Sequence, residues 1–167
     1  MSQYDMIVLR HIMVPARKQR AEWVAPEKLA ELAEFRYRLR EFLSFSEAAT
    51  EAVGISAQQY QLLQVIAAVP AEQERSISHV AERMLLRHNS AVELVDRAQR
   101  SGLVRRMTDE SDHRRSLLEI TERGQQLLSI LVEEHLKEID AKGPEMSRTL
   151  QRLISGRTRG MKRVGER

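Results

Sequence analysis

Eight arginines fall between residues 83 and 115, among them Arg87, Arg97, Arg105, Arg106, Arg114 and Arg115. A guanidinium is a permanent cation whose planar fork of donors matches phosphate oxygens and the acceptor edge of guanine. The run Arg87-His88-Asn89-Ser90 adds imidazole, amide and hydroxyl donors, and Arg114 and Arg115 follow Asp112 in a strongly polar stretch. Residues 83–115 carry a net charge of +3 despite Glu93, Asp96, Asp109, Glu110 and Asp112. The tail from Gly156 carries +4, whereas residues 25–75 stand at −3. A basic centre and tail beside a mildly acidic N-terminal half point to a polyanion contact on one face.

Other chemistries find little support. There is no cysteine, which excludes disulfides, thiolate metal sites and thiol redox sensing. No HExxH, no phosphate-cradling glycine loop and no recognisable Ser–His–Asp order is present, so no catalytic residue is expected. Asp109, Asp112 and His113 sit too close together on one loop to converge as ligands. His88 reads as a phosphate or base donor and His79 as a surface or interface side chain rather than a metal pair. No metal or cofactor is expected. The longest apolar run in the first 25 residues, Met6-Ile7-Val8-Leu9, is too short for a signal h-region or a membrane span. A cytoplasmic protein without membrane contact is the expectation.

The elements that would position the arginines are mostly helical. The 167 residues are 42% apolar, 31% charged and only 4% aromatic, which suits one helix-rich soluble domain with extensions. Pro26 suits a helix start, and Leu29, Leu32, Leu39, Phe42 and Leu43 recur at helical spacing to about Ala49, with Gly54 beyond. Ser56-Ala57-Gln58-Gln59 has the form of a capping box before the stripe Tyr60, Leu63, Ile66 and Ala67, which Pro70 ends. Ser76 is a candidate cap for a short third helix with Val80, Ala81, Met84 and Leu85 inward. A turn at Leu86–Asn89 leads to a fourth helix with Ala91, Leu94, Val95 and Ala98 on one face and Gly102 as its stop. Leu103–Met107 and Leu117–Thr121 are strand-like and flank the polar stretch Thr108–Ser116, a long hairpin. A helix from Thr121 to about Ala141 follows, with Leu127, Leu128, Leu131 and Leu136 or Ile139 inward. Gly143-Pro144 is expected to break it before a last helix carrying Met146, Leu150, Leu153 and Ile154. Met84, Met107 and Met146 read as core filler.

Helix, short helix, helix ending in glycine, then hairpin is the layout of a winged helix-turn-helix. The fold class is therefore mainly α with a small β-hairpin wing. A helix of this kind fits the major groove, while an arginine at a hairpin tip can enter the narrow minor groove. The division expected is an arm at 1–25, a helix at 26–54, the winged unit at 55–121, C-terminal helices at 122–155 and a basic tail at 156–167.

Residues 55–125 resemble the MarR (multiple antibiotic resistance regulator) family of transcription factors. The matching stretches are Ile55 to Tyr60, Ile77 to Met84, and Ser90-Ala91-Val92-Glu93-Leu94-Val95-Asp96-Arg97-Ala98 through Gly102-Leu103-Val104. The most specific is Asp109 to Gly124, where Asp112-His113-Arg114 precedes Leu117-Leu118-Glu119-Ile120-Thr121-Glu122-Arg123-Gly124. The resemblance implies an obligate homodimer built from N- and C-terminal helices that binds a pseudo-palindromic operator in double-stranded DNA. It also implies a ligand site between those helices and the winged unit, often for aromatic or phenolic compounds, and a repressor released by such an effector. By the same likeness Arg114 enters the minor groove, Asp112 orients it, Arg115 lies beside it, and Arg87, His88, Asn89, Ser90 and Arg97 contact DNA from the recognition helix. Glu93 departs from the family pattern: it either accepts from a cytosine amine or pairs with Arg97 at i+4.

The blander readings differ by residue. Arg114 and Arg115 can be a solvated loop paired with Asp109 and Asp112. Tyr37, Phe42 and Phe45 can line an effector pocket or pack in the dimer or domain core, and Trp23 can cover a seam between subunits. Two rivals to a regulator remain: a small-molecule or metal-handling helical dimer, and a protein-interaction module on the same fold.

Overall fold

The computed structural model describes residues 25–70, 73–108 and 116–161. The expected arm up to residue 24 with Trp23, the hairpin tip with Asp112, Arg114 and Arg115, and the tail from 162 lie outside the described residues.

Helix starts follow local chemistry. Helix α1 spans Pro26–Ala52, with proline in the first turn where its missing N–H would have had no partner. Gly54, at φ +77°, turns the chain after it. Helix α2, Ala57–Ala67, opens on a full capping box: the Gln59 backbone N–H donates to Ser56 Oγ (3.2 Å), and the Ser56 N–H donates to Gln59 Oε1 (2.9 Å). Ser76 caps α3, Ile77–Arg83, by accepting from the His79 N–H. Helix α4, His88–Arg100, is followed by Gly102 at φ +68°.

Strands β1, Val104–Thr108, and β2, Ser116–Ile120, pair antiparallel with Val104 opposite Ile120 and Arg106 opposite Leu118. Ser76 adds a bridge to Leu117, and the Leu118 N–H donates to the Arg75 carbonyl at 2.8 Å, so the hairpin root is tied to the entry of α3. Thr121 begins α5, Glu122–Met161: its hydroxyl donates to the Gly102 carbonyl (2.7 Å) and accepts from the Gly124 N–H (3.1 Å).

The core collects Tyr60, Leu62, Leu63 and Ile66 from α2, Val80 from α3, Ala91, Leu94, Val95 and Ala98 from α4, and Leu103, Val104, Leu118 and Leu131. Alanines 91 and 98, with no exposed area, bring α4 close against its neighbours. Each fully buried leucine contributes at most about 1.5–3 kcal/mol, so this cluster is what holds α2, α3, α4 and the hairpin together.

Several expectations need correction. The chain does not break at Gly143-Pro144: α5 runs through Pro144 as one helix of 40 residues. An interior proline costs about 3 kcal/mol, and packing against α1 on both sides of it opposes that cost. Phe42 and Leu39 face Ile139 and Met146 across the proline, Arg38 reaches Glu145, and Thr149 is buried one turn beyond. The turn before α4 is Met84–Arg87 rather than Leu86–Asn89, because His88 and Asn89 are already helical. Leu85 points outward at 62% exposure with a left-handed backbone, φ +56°, since α3 ends before it. Ala67 is exposed, and Met107 lies on the solvent side of β1 at 45% exposure instead of filling the core. Leu136 and Ile139 are likewise exposed in the single chain, as are Leu29, Leu32, Leu39 and Leu43 of α1.

Candidate nucleic-acid interface

Helices α3 and α4 form the helix-turn-helix. The connecting turn is closed by the Leu85 N–H donating to the Glu82 carbonyl (3.2 Å) and the Leu86 N–H donating to that of Ala81 (2.8 Å). Because the apolar stripe of α4 faces the core, its opposite face is polar by necessity. Arg87 occupies the N-cap without a side-chain cap bond, so the first-turn amides of α4 stay open beside exposed His88, Asn89 and Ser90. Open amides and the positive end of the helix dipole attract anions.

Arg97 is exposed, and its Nη2 donates to Gln58 Oε1 at 3.4 Å, while among the described residues no ion pair joins it to Glu93. The i+4 pairing considered for Glu93 is therefore not made, and its carboxylate lies open on the outer face of α4.

The arginines of β1 have partners within the protein. Arg105 Nε donates to Glu119 Oε2 across the hairpin at 2.8 Å. That bond raises the Arg105 pKa above its ordinary value and holds the Glu119 carboxyl below the usual glutamate range. Arg106 Nη1 lies 2.6 Å from Asp96 Oδ1 and donates to Gln99 Oε1 at 3.3 Å, both on α4.

Between the winged unit and the long helices sits a buried group that sequence reasoning missed. His135 of α5 is 7% exposed. Its Nδ1 faces the Leu131 carbonyl at 2.7 Å, and since a carbonyl only accepts, Nδ1 carries the proton. In the neutral ring Nε2 then accepts from the Ser46 hydroxyl of α1 (2.9 Å). Phe42 and Phe45 stand edge-on to the imidazole, and Tyr60 of α2 lies 4.6 Å from it, centroid to centroid. Burial pushes the Tyr60 hydroxyl pKa up. Residue 135 follows Leu128 and Leu131 on the same helical stripe, a signal that could have found it. Of the three aromatics named from the sequence, Phe42 and Phe45 thus meet at His135, while Tyr37 is 46% exposed beneath the Arg38 guanidinium. Phe42 also borders a cavity of about 330 Å³ between α1 and α5 with Leu39, Ile139 and Met146. Arg38 closes one side of it, bound to Glu34, Glu41 and Glu145 at 2.8–3.1 Å.

The MarR family profile matches residues 53–115, from the end of α1 to the hairpin tip. The curated regulator PecS of Dickeya dadantii is 28% identical over 106 residues, 62% of this chain, and the chain spans 64% of the length of PecS. The solved structure of AbsC, a MarR-family regulator from Streptomyces coelicolor, superposes with TM-score 0.65 at 17% identity, covering 84% of this chain and 97% of that one. MepR of S. aureus in complex with DNA superposes with TM-score 0.56 at 19% identity, over 74% of this chain and 98% of MepR. Residues 53–115 are thus similar to the MarR family, and the fold around them is the one its solved members share.

MarR proteins are transcription regulators rather than enzymes. The MarR fold accounts for what the long helices do here: α1 and α5 pack on each other beside the winged unit and carry their remaining apolar side chains outward. Among the described residues no helix is long and apolar enough to cross a membrane.

Proposed function

We propose that this protein is a DNA-binding transcription repressor of the MarR family that recognises a pseudo-palindromic operator as a homodimer and is released by a small aromatic or phenolic molecule. In this reading 55–121 is the DNA-binding unit, and 26–54 and 122–155 are the dimerisation helices. The observation that carries it is the exposed, uncapped first turn of α4, where Arg87, His88, Asn89 and Ser90 project from a helix braced by α3. Arg97 lies two turns farther along α4 on the side of Ser90, and Arg114, oriented by Asp112 and accompanied by Arg115, serves the minor groove. The similar MepR structures were solved with DNA, which supports the same use of this fold.

Dimerisation is supported by the apolar side chains left exposed on α1 and α5, including Leu29, Leu32, Leu136, Leu150 and Ile154, which a second copy could cover. Two α4 helices related by a two-fold axis would lie about 34 Å apart and read about 16–20 base pairs. Phe42, Phe45 and, at the rim, Tyr37 are the aromatic groups available to an effector, supported by the cavity that Phe42 borders between α1 and α5.

The test is a gel shift with the protein's own upstream DNA at two salt concentrations, with the Arg114→Ala variant alongside. Binding should fall steeply with salt as arginines displace condensed counterions. Arg114→Ala should lose about 1–3 kcal/mol of affinity while staying folded. No shift at low salt, or an unchanged affinity in the variant, refutes the reading or its wing.

A further inference from the structure

Asp96 and Glu93 both lie on the outer side of α4, yet only Asp96 is neutralised. Its partner, Arg106, sits in the middle of β1 and reaches two α4 side chains at once, Asp96 at 2.6 Å and Gln99 at 3.3 Å. The side chains of Arg106 and Asp96 are 30% and 45% exposed, so the pair adds little to stability. What it does is join the recognition helix to the hairpin by a link independent of the hydrophobic core. The other ties of the hairpin, at Ser76–Leu117 and Arg75–Leu118, hold β2 to the entry of α3. The Leu103 N–H also donates to the Ala98 carbonyl (3.0 Å), but this bond lies at the pivot where α4 passes into β1 and leaves the angle between them to contacts farther out.

Resting on the DNA-binding reading above, we infer that Arg106 and Asp96 form a latch that fixes the angle between recognition helix and wing. Arg106 is then a positioning residue for the wing and makes no DNA contact of its own. The geometry makes such a latch consequential: a point about 15 Å farther along a hairpin moves about 3 Å for each roughly 10° of rotation. Side chains that read a groove must be held to about 0.5 Å. The latch also answers an electrostatic problem, since an unpaired carboxylate at 96 would face the phosphates.

Charge alone and the latch predict opposite signs for one substitution. Asp96→Asn removes a negative charge from the face offered to DNA, so simple repulsion predicts tighter binding, whereas the latch predicts weaker binding. The probe is the duplex that the wild-type protein recovers from a randomised pool, titrated by fluorescence anisotropy at one fixed salt concentration. Asp96→Asn and Arg106→Ala should each weaken binding about tenfold, and Arg114→Ala about tenfold to a hundredfold. The double variant Arg106→Ala/Arg114→Ala should be within about twofold of the weaker single one, because an unlatched wing has already lost what Arg114 contributes. The exchanged pair Asp96→Arg/Arg106→Asp restores the link and should recover the dependence on Arg114. Tighter binding by Asp96→Asn, multiplying losses in the double variant, no cost for Arg114→Ala, or an exchanged pair as weak as the single variants overturns the latch. A wild-type protein that recovers no duplex removes instead the DNA-binding reading, and the latch with it.

Discussion

Gly124, in the first turn of α5, is buried where that helix crosses the link between α4 and β1. A Cβ built there would run into the Leu103 carbonyl oxygen and stand 2.7 Å from Ile120 Cγ2. The carbonyl cannot retreat freely, because it accepts the Thr121 N–H at 3.0 Å. Two effects of Gly124→Ala therefore oppose each other. Alanine in place of glycine inside a helix gains about 1 kcal/mol. Forcing a methyl into a packed joint costs about 1–3 kcal/mol or more, and disturbing the Leu103 carbonyl bond adds about 1 kcal/mol. The net expectation is a loss of about 1–3 kcal/mol. Gly102→Ala is the internal comparison: its Cβ would meet nothing within 4 Å, but its φ of +68° is strained for an L-residue, giving a loss of about 1 kcal/mol from backbone alone. Urea unfolding followed by circular dichroism, at one protein concentration because association shifts apparent stability, separates the two. A Gly124→Ala protein as stable as wild type, or more stable, would mean that helix propensity wins and that the close approach of α5 to Leu103 does not exist.

Two further outcomes follow from the geometry. His135→Ala empties a site bordered by Phe42, Phe45 and Tyr60 and strands the Ser46 hydroxyl; it should cost about 2–4 kcal/mol in the same unfolding assay, and a loss below about 1 kcal/mol would contradict the packing described. Glu119 has a depressed folded-state pKa because Arg105 donates to it, so the stabilisation it brings is present above its unfolded pKa and fades as pH falls through the folded one. An NMR titration should place its midpoint below the ordinary glutamate value and return it there in Arg105→Ala; an identical midpoint in both proteins would refute the cross-strand bond.

The parts of the fold legible in the chain were those governed by neighbours in sequence. Ser56 and Gln59 satisfy each other's backbone within one turn, Ser76 caps α3, and Gly54 and Gly102 take left-handed backbone that most other residues resist. The candidate DNA face was legible for a related reason: the spacing of Ala91, Leu94, Val95 and Ala98 defines the buried side of α4, so the polar first turn from Arg87 to Ser90 had to lie outside. Leu85 was misjudged because it continues the period of α3 while the helix has already ended.

What the amino-acid order alone determined is therefore local: where helices start, where they turn, and which stripe of each is greasy. Tertiary structure decided the rest, because long-range partners outweigh local preference. Packing against α1 carries α5 through Pro144, which sequence rules would have made an end. His135 became the meeting point of three helices only when α1 and α2 closed around it. Arg106, indistinguishable in the chain from arginines free to meet a phosphate, is bound to Asp96 and Gln99, because only folding brings β1 alongside α4.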